Sequence, residues 1–222
     1  MFKFHSKVAR AAIAILLIAP PATAADFNVV VPNPSTFEMN EDGFTARLSD
    51  EGCADGFETA CTATRQRVEY QSATPHGHGD RVSYSWEVMV DEGLTYNAAD
   101  KHMYATRFLT ADEKTVMQFY LGNDYGYEVN RKTCFGPEAF GKWHQVEVRF
   151  VWDSTKKKGL KDKTPGEIHV ICDGNEIFSK AGRPNIKAGD VVHLALGLEG
   201  ALKLAEGDKV SVAFRNIQIG TW

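Results

Sequence analysis

The strongest structural signal in the sequence is the alternation of side chains over the ten-residue segment Arg81–Val90. A period of two is typical of a β-strand that buries one face and exposes the other. The apolar face of this predicted strand consists of Val82, Tyr84, Trp86, Val88 and Val90. The polar face consists of Arg81, Ser83, Ser85 and Glu87, with Met89 as its apolar member. A chain organised around such a strand must pack that apolar face against a second layer.

Other segments with the features of β-strands occur along the rest of the chain, separated by turn residues. They are Phe27–Val31, Gly43–Leu48, Arg65–Gln71, Thr115–Leu121, Tyr125–Asn130, Trp143–Trp152, Glu167–Cys172, Glu176–Phe178, Val191–Leu198 and Val210–Ile219. Asp173-Gly174 is a strong hairpin signal, whereas helical patterns are confined to Leu94–Asp100 and Ala201–Ala205. The sequence therefore predicts an all-β sandwich of roughly ten to thirteen strands, with Trp86, Trp143 and Trp152 in its core.

Length and charge narrow the class of protein. The chain has 222 residues, 43% of them hydrophobic, which suits one globular domain, and we expect that domain to be a monomer spanning residues 25–222. The net charge of −4 argues against nucleic-acid binding. Beyond the N-terminus there is no apolar run long enough to cross a membrane.

The first residues have the features of a secretory signal peptide. Lys3, Lys7 and Arg10 precede the short apolar run Ala11–Ala19, and Ala22-Thr23-Ala24 resembles a cleavage site. We therefore expect cleavage after Ala24, so that residues 1–24 are removed and the protein is periplasmic or secreted. The alternative is that the segment stays on as an uncleaved anchor.

The four cysteines are even in number and, after export, would meet an oxidising compartment. Of the three possible connectivities, we favour Cys53–Cys61, which closes a Gly- and Asp-containing loop, together with Cys134–Cys172. A metal site is the competing interpretation, but the sequence has no CxxC pair to support it.

Three segments carry a resemblance to a known family. They are Arg65-x-Arg67-x-Glu69 followed by the strand with Tyr84-Ser-Trp86, Gly141-Lys-Trp143-His144 at the start of a long strand, and the hairpin Glu167–Gly174. Together the region Arg65–Ile219 resembles the concanavalin A-like jelly rolls of secreted polysaccharide lyases, in particular the heparin-lyase and glucuronan-lyase-like family. The resemblance implies a two-sheet antiparallel jelly-roll sandwich that binds an acidic, uronate-containing polysaccharide and cleaves it by β-elimination.

The sequence also departs from that family at two positions. Family members commonly carry Gln-x-His on the strand that here corresponds to His102–Phe108, and a tyrosine on the strand that here reads His193–Leu198. Neither is present. These departures favour the alternative of a non-catalytic carbohydrate-binding or envelope-interaction module that kept the fold without the catalytic residues.

The chemistry of β-elimination selects the candidate residues. It needs a group that neutralises the uronate carboxylate, together with a base and an acid, and the planar guanidinium of arginine suits the first role. We assign Arg67 as the neutralising group with Gln118 assisting, and Tyr120 or His102 as base or acid. Candidate substrate-binding residues on strand faces or at the rim are Arg65, Glu69, Arg107, Tyr127, Glu147 and Arg149.

Several loops contain possible metal ligands. His76-Gly-His78-Gly-Asp80 could bind Zn²⁺ or Cu²⁺, and the pairs Asp112-Glu113 and Asn123-Asp124 could offer oxygen ligands to Ca²⁺. None of these matches a defined motif, so no metal site or cofactor is assigned and Ca²⁺ stays an open possibility. The basic loop containing Lys156, Lys157, Lys158, Lys161 and Lys163 could touch an acidic polymer but is expected to be a solvated hairpin tip.

Overall fold

A computed structural model describes residues 27–57, 60–62, 65–95, 102–155, 165–200 and 204–222. The predicted signal peptide, the lysine-rich loop and most of the two predicted helical segments lie outside the described residues. Within these ranges the chain forms sixteen β-strands and two short 3₁₀ turns, at Pro34–Thr36 and Pro137–Ala139. None of the described helices is long and apolar enough to cross a membrane.

The strands form two antiparallel sheets. The nine-stranded sheet contains β1 (Phe27–Val30), β4 (Cys61–Thr62), β5 (Arg65–Ser72), β6 (His76–Gly77), β8 (Met103–Thr110), β9 (Thr115–Gly122), β10 (Gly126–Val129), β11 (Lys132–Phe135) and β15 (Val191–Gly200). The seven-stranded sheet contains β2 (Phe37–Met39), β3 (Gly43–Ser49), β7 (Arg81–Val90), β12 (His144–Val151), β13 (Glu167–Cys172), β14 (Asn175–Ala181) and β16 (Lys209–Thr221).

The spatial order of the strands in each sheet differs from their order along the chain. The main path of the nine-stranded sheet runs β1-β5-β15-β8-β9-β10-β11, and the seven-stranded sheet runs β14-β13-β12-β7-β16-β3-β2. Strands distant in sequence are therefore neighbours, as in the double-sheet jelly roll. This confirms the predicted fold class.

The core lies between the sheets and follows the predicted alternation. All five residues on the apolar face of β7 are at most 2% exposed, and Trp86 and Trp152 are buried as expected. Phe150 stacks on Trp152 with ring centroids 3.8 Å apart. The prediction for Trp143 was wrong: it precedes β12, is only half-buried, and its ring lies 4.1 Å from the Arg215 guanidinium.

Two disulfides and one tight hairpin turn link neighbouring segments of the chain. Cys53 pairs with Cys61 and Cys134 with Cys172, with Cα–Cα distances of 6.0 and 5.5 Å, which is the favoured connectivity. The second disulfide joins β11 of the nine-stranded sheet to β13 of the seven-stranded sheet. Asp173 and Gly174 both adopt positive φ, at 48° and 78°, as a two-residue hairpin turn requires.

Candidate functional site

The nine-stranded sheet has one side packed against the core and one side turned away from it, and we call the second side the outer face. The polar side chains that alternate with the core residues of the central strands lie on this outer face. Strand pairing brings Arg67 opposite Glu199, Glu199 opposite Tyr104, and Tyr104 opposite Tyr120. The side chains of β5, β15, β8, β9 and β10 that share this face are Arg65, Arg67, Glu69, Gln71, His193, Glu199, Tyr104, Arg107, Gln118, Tyr120 and Glu128.

Three arginines and three glutamates form a connected ion cluster on the outer face, and they are Arg65, Arg67, Arg107, Glu69, Glu113 and Glu199. Arg107 donates from Nε to Glu69 Oε1 at 2.8 Å and also contacts Glu199. Arg65 Nη2 lies 2.7 Å from Glu199 Oε2. The Glu69, Arg107 and Glu199 residues are all at most 9% exposed. The centre of the cluster is therefore largely shielded from water. Ion pairs interact more strongly in such a place than they do in water, because the effective dielectric constant is lower.

A stretch of small residues on β15 lets the cluster form. Arg107 on β8 and Glu69 on β5 are separated by β15, which places Ala195 and Gly197 between them on the outer face. Gly197 has φ of 144° and lies where the β15–β8 pairing shifts register. A Cβ at this position would overlap the Val68 carbonyl oxygen and lie 2.8 Å from Glu69 Cα. Two strand spacings of about 5 Å each can thus be spanned by two long side chains with nothing between them.

Glu199 is a site residue that the sequence analysis missed. It is 9% exposed and occupies the position opposite Arg67, and burial raises its pKa even though Arg107 and Arg65 oppose the shift. Extending the predicted strand Val191–Leu198 by one residue could have found it. In a β-strand, His193, Ala195, Gly197 and Glu199 lie on the same side.

Beside the ion cluster lies a group of aromatic and amide side chains. Gln118 Nε2 donates to the Tyr120 hydroxyl at 2.7 Å. The Tyr120 ring centroid lies 5.3 Å from that of His102 and 5.3 Å from that of Tyr104. Burial raises the pKa of Tyr104, and the neighbouring Tyr120 and Glu199 act in the same direction. The structure thus brings together the candidates Gln118, Tyr120 and His102 and adds Tyr104 to them.

This aromatic group borders an open pocket. The pocket has a volume of about 330 Å³. Its lining residues are His102, Tyr120, Tyr125, Glu128, Asn130 and Arg131. Aromatic rings, hydroxyls and a guanidinium beside an open pocket can hydrogen-bond and pack against a sugar ring.

Three candidate substrate-binding residues are not on the outer face. Tyr127 is 0% exposed, and its hydroxyl lies 2.7 Å from Thr106 Oγ1 inside the core. It cannot contact a polymer, because the parity of β10 turns Glu128 outward instead. Glu147 and Arg149 pair with each other at 2.6 Å on β12, which belongs to the seven-stranded sheet. The alternation of β12 was predicted correctly, but its polar face belongs to the other side of the sandwich.

The loops considered for metal binding are held by contacts within the protein. The His76 Nδ1 atom lies 3.7 Å from Asp80 Oδ2, and His78 Nδ1 accepts a hydrogen bond from the Ser154 amide at 3.1 Å. Among the described residues, no group of three or more His, Cys, Asp or Glu side chains is arranged to hold a metal ion.

Comparison with solved structures identifies a class of similar proteins, the jelly-roll polysaccharide lyases. An endo-β-1,4-glucuronan lyase from the fungus Trichoderma reesei superposes with a TM-score of 0.60 and 13% identity, covering 90% of this chain and 88% of its own. An alginate lyase of polysaccharide lyase family 7 gives 0.61 and 10% identity, covering 88% and 94%. The alginate lyase from Corynebacterium sp. gives 0.59 and 10% identity, covering 85% and 82%.

These similarities lie in the fold. They confirm the resemblance to the jelly-roll lyases that the sequence segments indicated. The sequence matches no protein-family model and no curated protein.

Proposed function

We propose that the protein is exported and binds an acidic, uronate-containing polysaccharide on its outer face. The observation that carries this proposal is the single surface that combines an arginine cluster with Gln118, Tyr120, Tyr104 and His102. Arginine hydrogen-bonds carboxylates in a fixed planar geometry, and tyrosine and histidine pack against sugar rings while presenting polar atoms. The fold neighbours act on glucuronan and alginate, both polymers of uronic acids.

The same group of residues supports cleavage by β-elimination. In this reaction a base removes the proton next to the uronate carboxylate, a C=C bond forms in the ring, and the 4-linked sugar leaves with a proton from an acid. Tyr120 and His102 are the proposed base and acid, in either order. Gln118 fixes the Tyr120 hydroxyl through the 2.7 Å hydrogen bond, and Arg67 with Gln118 stabilises the charge on the carboxylate.

A non-catalytic binding module is the second candidate. One structural observation favours it: the Arg67 guanidinium, the proposed neutralising group, is already paired with Glu113 at 2.9 Å. An arginine paired with a carboxylate of its own protein stabilises a substrate carboxylate less than a free one.

Incubation of the protein with oligoglucuronate, oligomannuronate and oligogalacturonate tests the proposal. We expect binding to at least one of them, measured by calorimetry, and a rise in ultraviolet absorbance from the unsaturated uronate product. Binding without a rise in absorbance would leave the non-catalytic module. Absence of binding to all acidic polymers would contradict the proposed function.

The substitution Tyr120→Phe is expected to lower the elimination rate about 100-fold or more, because a positioned proton-transfer group contributes that much. Oligosaccharide binding is expected to change little, since the phenyl ring keeps its packing. Tyr70→Phe is the matched control, because Tyr70 lies on the same sheet but packs against the core rings of Phe44 and Phe37. Equal rates in both variants would remove Tyr120 from the mechanism.

A further inference from the structure

We infer that Arg65 and Arg67 form a carboxylate-binding subsite that the Glu113 side chain fills in the free protein. Glu113 Oε1 accepts a hydrogen bond from Arg67 Nη1 at 2.9 Å, and Glu113 Oε2 accepts one from Arg65 Nη1 at 3.5 Å. One carboxylate is thus held by two guanidinium groups, each oxygen by a different arginine. Charge-assisted hydrogen bonds from guanidinium groups are the contacts with which proteins bind carboxylates. The inference rests on the proposed function, because it names the ligand group that this face takes.

Charge balance shows which carboxylate of the cluster is the exchangeable one. Glu69 and Glu199 have side chains only 3% and 11% exposed, and both contact Arg107 in the interior of the cluster. The Glu113 side chain is 47% exposed. The three arginines and the two buried glutamates sum to one positive charge, which Glu113 neutralises from outside. A uronate carboxylate supplies the same single negative charge at the same place.

The turn between β8 and β9 positions Glu113 for this role. The residue has a φ of 61°, and its amide donates to the Thr110 carbonyl at 2.8 Å. Thr110 Oγ1 also donates to Asp112, which pairs in turn with Lys114. The turn is therefore well braced by its own contacts. A rotation of the exposed Glu113 side chain suffices to open the subsite, with no change in the strands.

The consequence is competition between Glu113 and the polymer. A uronate must displace the Glu113 carboxylate before it reaches Arg65 and Arg67, so the internal carboxylate weakens binding of acidic ligands. A neutral sugar has no carboxylate that can take the place of the Glu113 carboxylate, so it leaves the subsite filled and its affinity does not depend on Glu113. Glu113 therefore tunes both the affinity of the outer face and its preference for carboxylated sugars.

Calorimetric titration of the full chain tests the inference. Glu113→Gln keeps the shape of the side chain and removes its charge, and we expect its dissociation constant for oligoglucuronate to fall about tenfold, as expected when one charge-assisted hydrogen bond need no longer be broken. Glu113→Gly is a second variant that suits the positive φ and should act in the same direction. Affinity for cello-oligosaccharides, which have the same backbone without the carboxylate, should stay unchanged.

Glu38→Gln is the matched control. It removes one negative charge from an exposed ion pair with Arg47, at 2.8 Å on the seven-stranded sheet. If the wild-type protein binds oligouronates and the Glu113 variants bind them equally or more weakly, the inference is wrong and the proposed function stands. A tenfold gain shared by Glu38→Gln would show a general charge effect and would also overturn it. If no form of the protein binds any oligouronate, both proposals are wrong.

Discussion

Replacement of Glu69 by alanine is expected to lower the free energy of unfolding by about 3–5 kcal/mol, the usual cost of removing one partner from a buried ion pair. Glu69 is 2% exposed and Arg107 is 4% exposed, so the Arg107 guanidinium would lose one of its two carboxylate partners in a place that water does not reach. Urea denaturation monitored by tryptophan fluorescence measures the change, read from the midpoint at constant slope.

Two further variants separate burial from charge. Glu38→Ala breaks an exposed Arg–Glu pair, for which a loss of no more than about 1 kcal/mol is expected. The double variant Glu69→Leu with Arg107→Met replaces this buried ion pair by apolar groups and leaves Glu199 paired with Arg65, and it is expected to recover a large part of the loss. If Glu69→Ala lowers the free energy of unfolding no more than Glu38→Ala does, water reaches the ion cluster, and the description of its centre as shielded from water is wrong.

The local pattern of the sequence was sufficient to predict which side of β7 and of β12 is buried. The alternation in β7 and β12 and the Asp173-Gly174 turn depend on neighbouring residues alone, and the structure agrees with them. The same pattern does not say to which sheet a strand belongs. For this reason Glu147 and Arg149, polar and correctly turned outward, were grouped with residues on the opposite side of the sandwich.

The ion cluster could be predicted only in part. Arg65, Arg67 and Glu69 lie on one strand, so their shared face follows from parity. The contact between Arg67 and Glu113 joins residues 46 positions apart, and it depends on how the β8–β9 turn folds over the sheet. Tyr127 follows the alternation, because it shares its side of β10 with the buried Val129, and its assignment as a substrate-binding residue did not take that alternation into account. A one-residue difference moves a side chain from the surface to the core.

Both the fold and the proposed site depend on the absence of a side chain at Gly197. Gly197→Ala is expected to destabilise the protein by about 3 kcal/mol or more, because the positive φ alone costs on the order of 1–3 kcal/mol for other residues. The new methyl group would also overlap the Val68 backbone, which cannot move without disturbing the pairing of β5 with β15.

The same substitution should also act on binding. The methyl group would lie between Glu69 and the path of the Arg107 side chain, so the folded fraction of Gly197→Ala should bind oligouronates more weakly than the wild-type protein does. Gly220→Ala is the matched control, since Gly220 also lies in a strand but has no atom near its Cβ position. Thermal unfolding of the two variants, followed by calorimetric titration below their midpoints, measures both effects. A Gly197→Ala protein as stable as Gly220→Ala would mean that β15 can relax, and the absence of a side chain at Gly197 would then not be what allows Glu69 and Arg107 to meet.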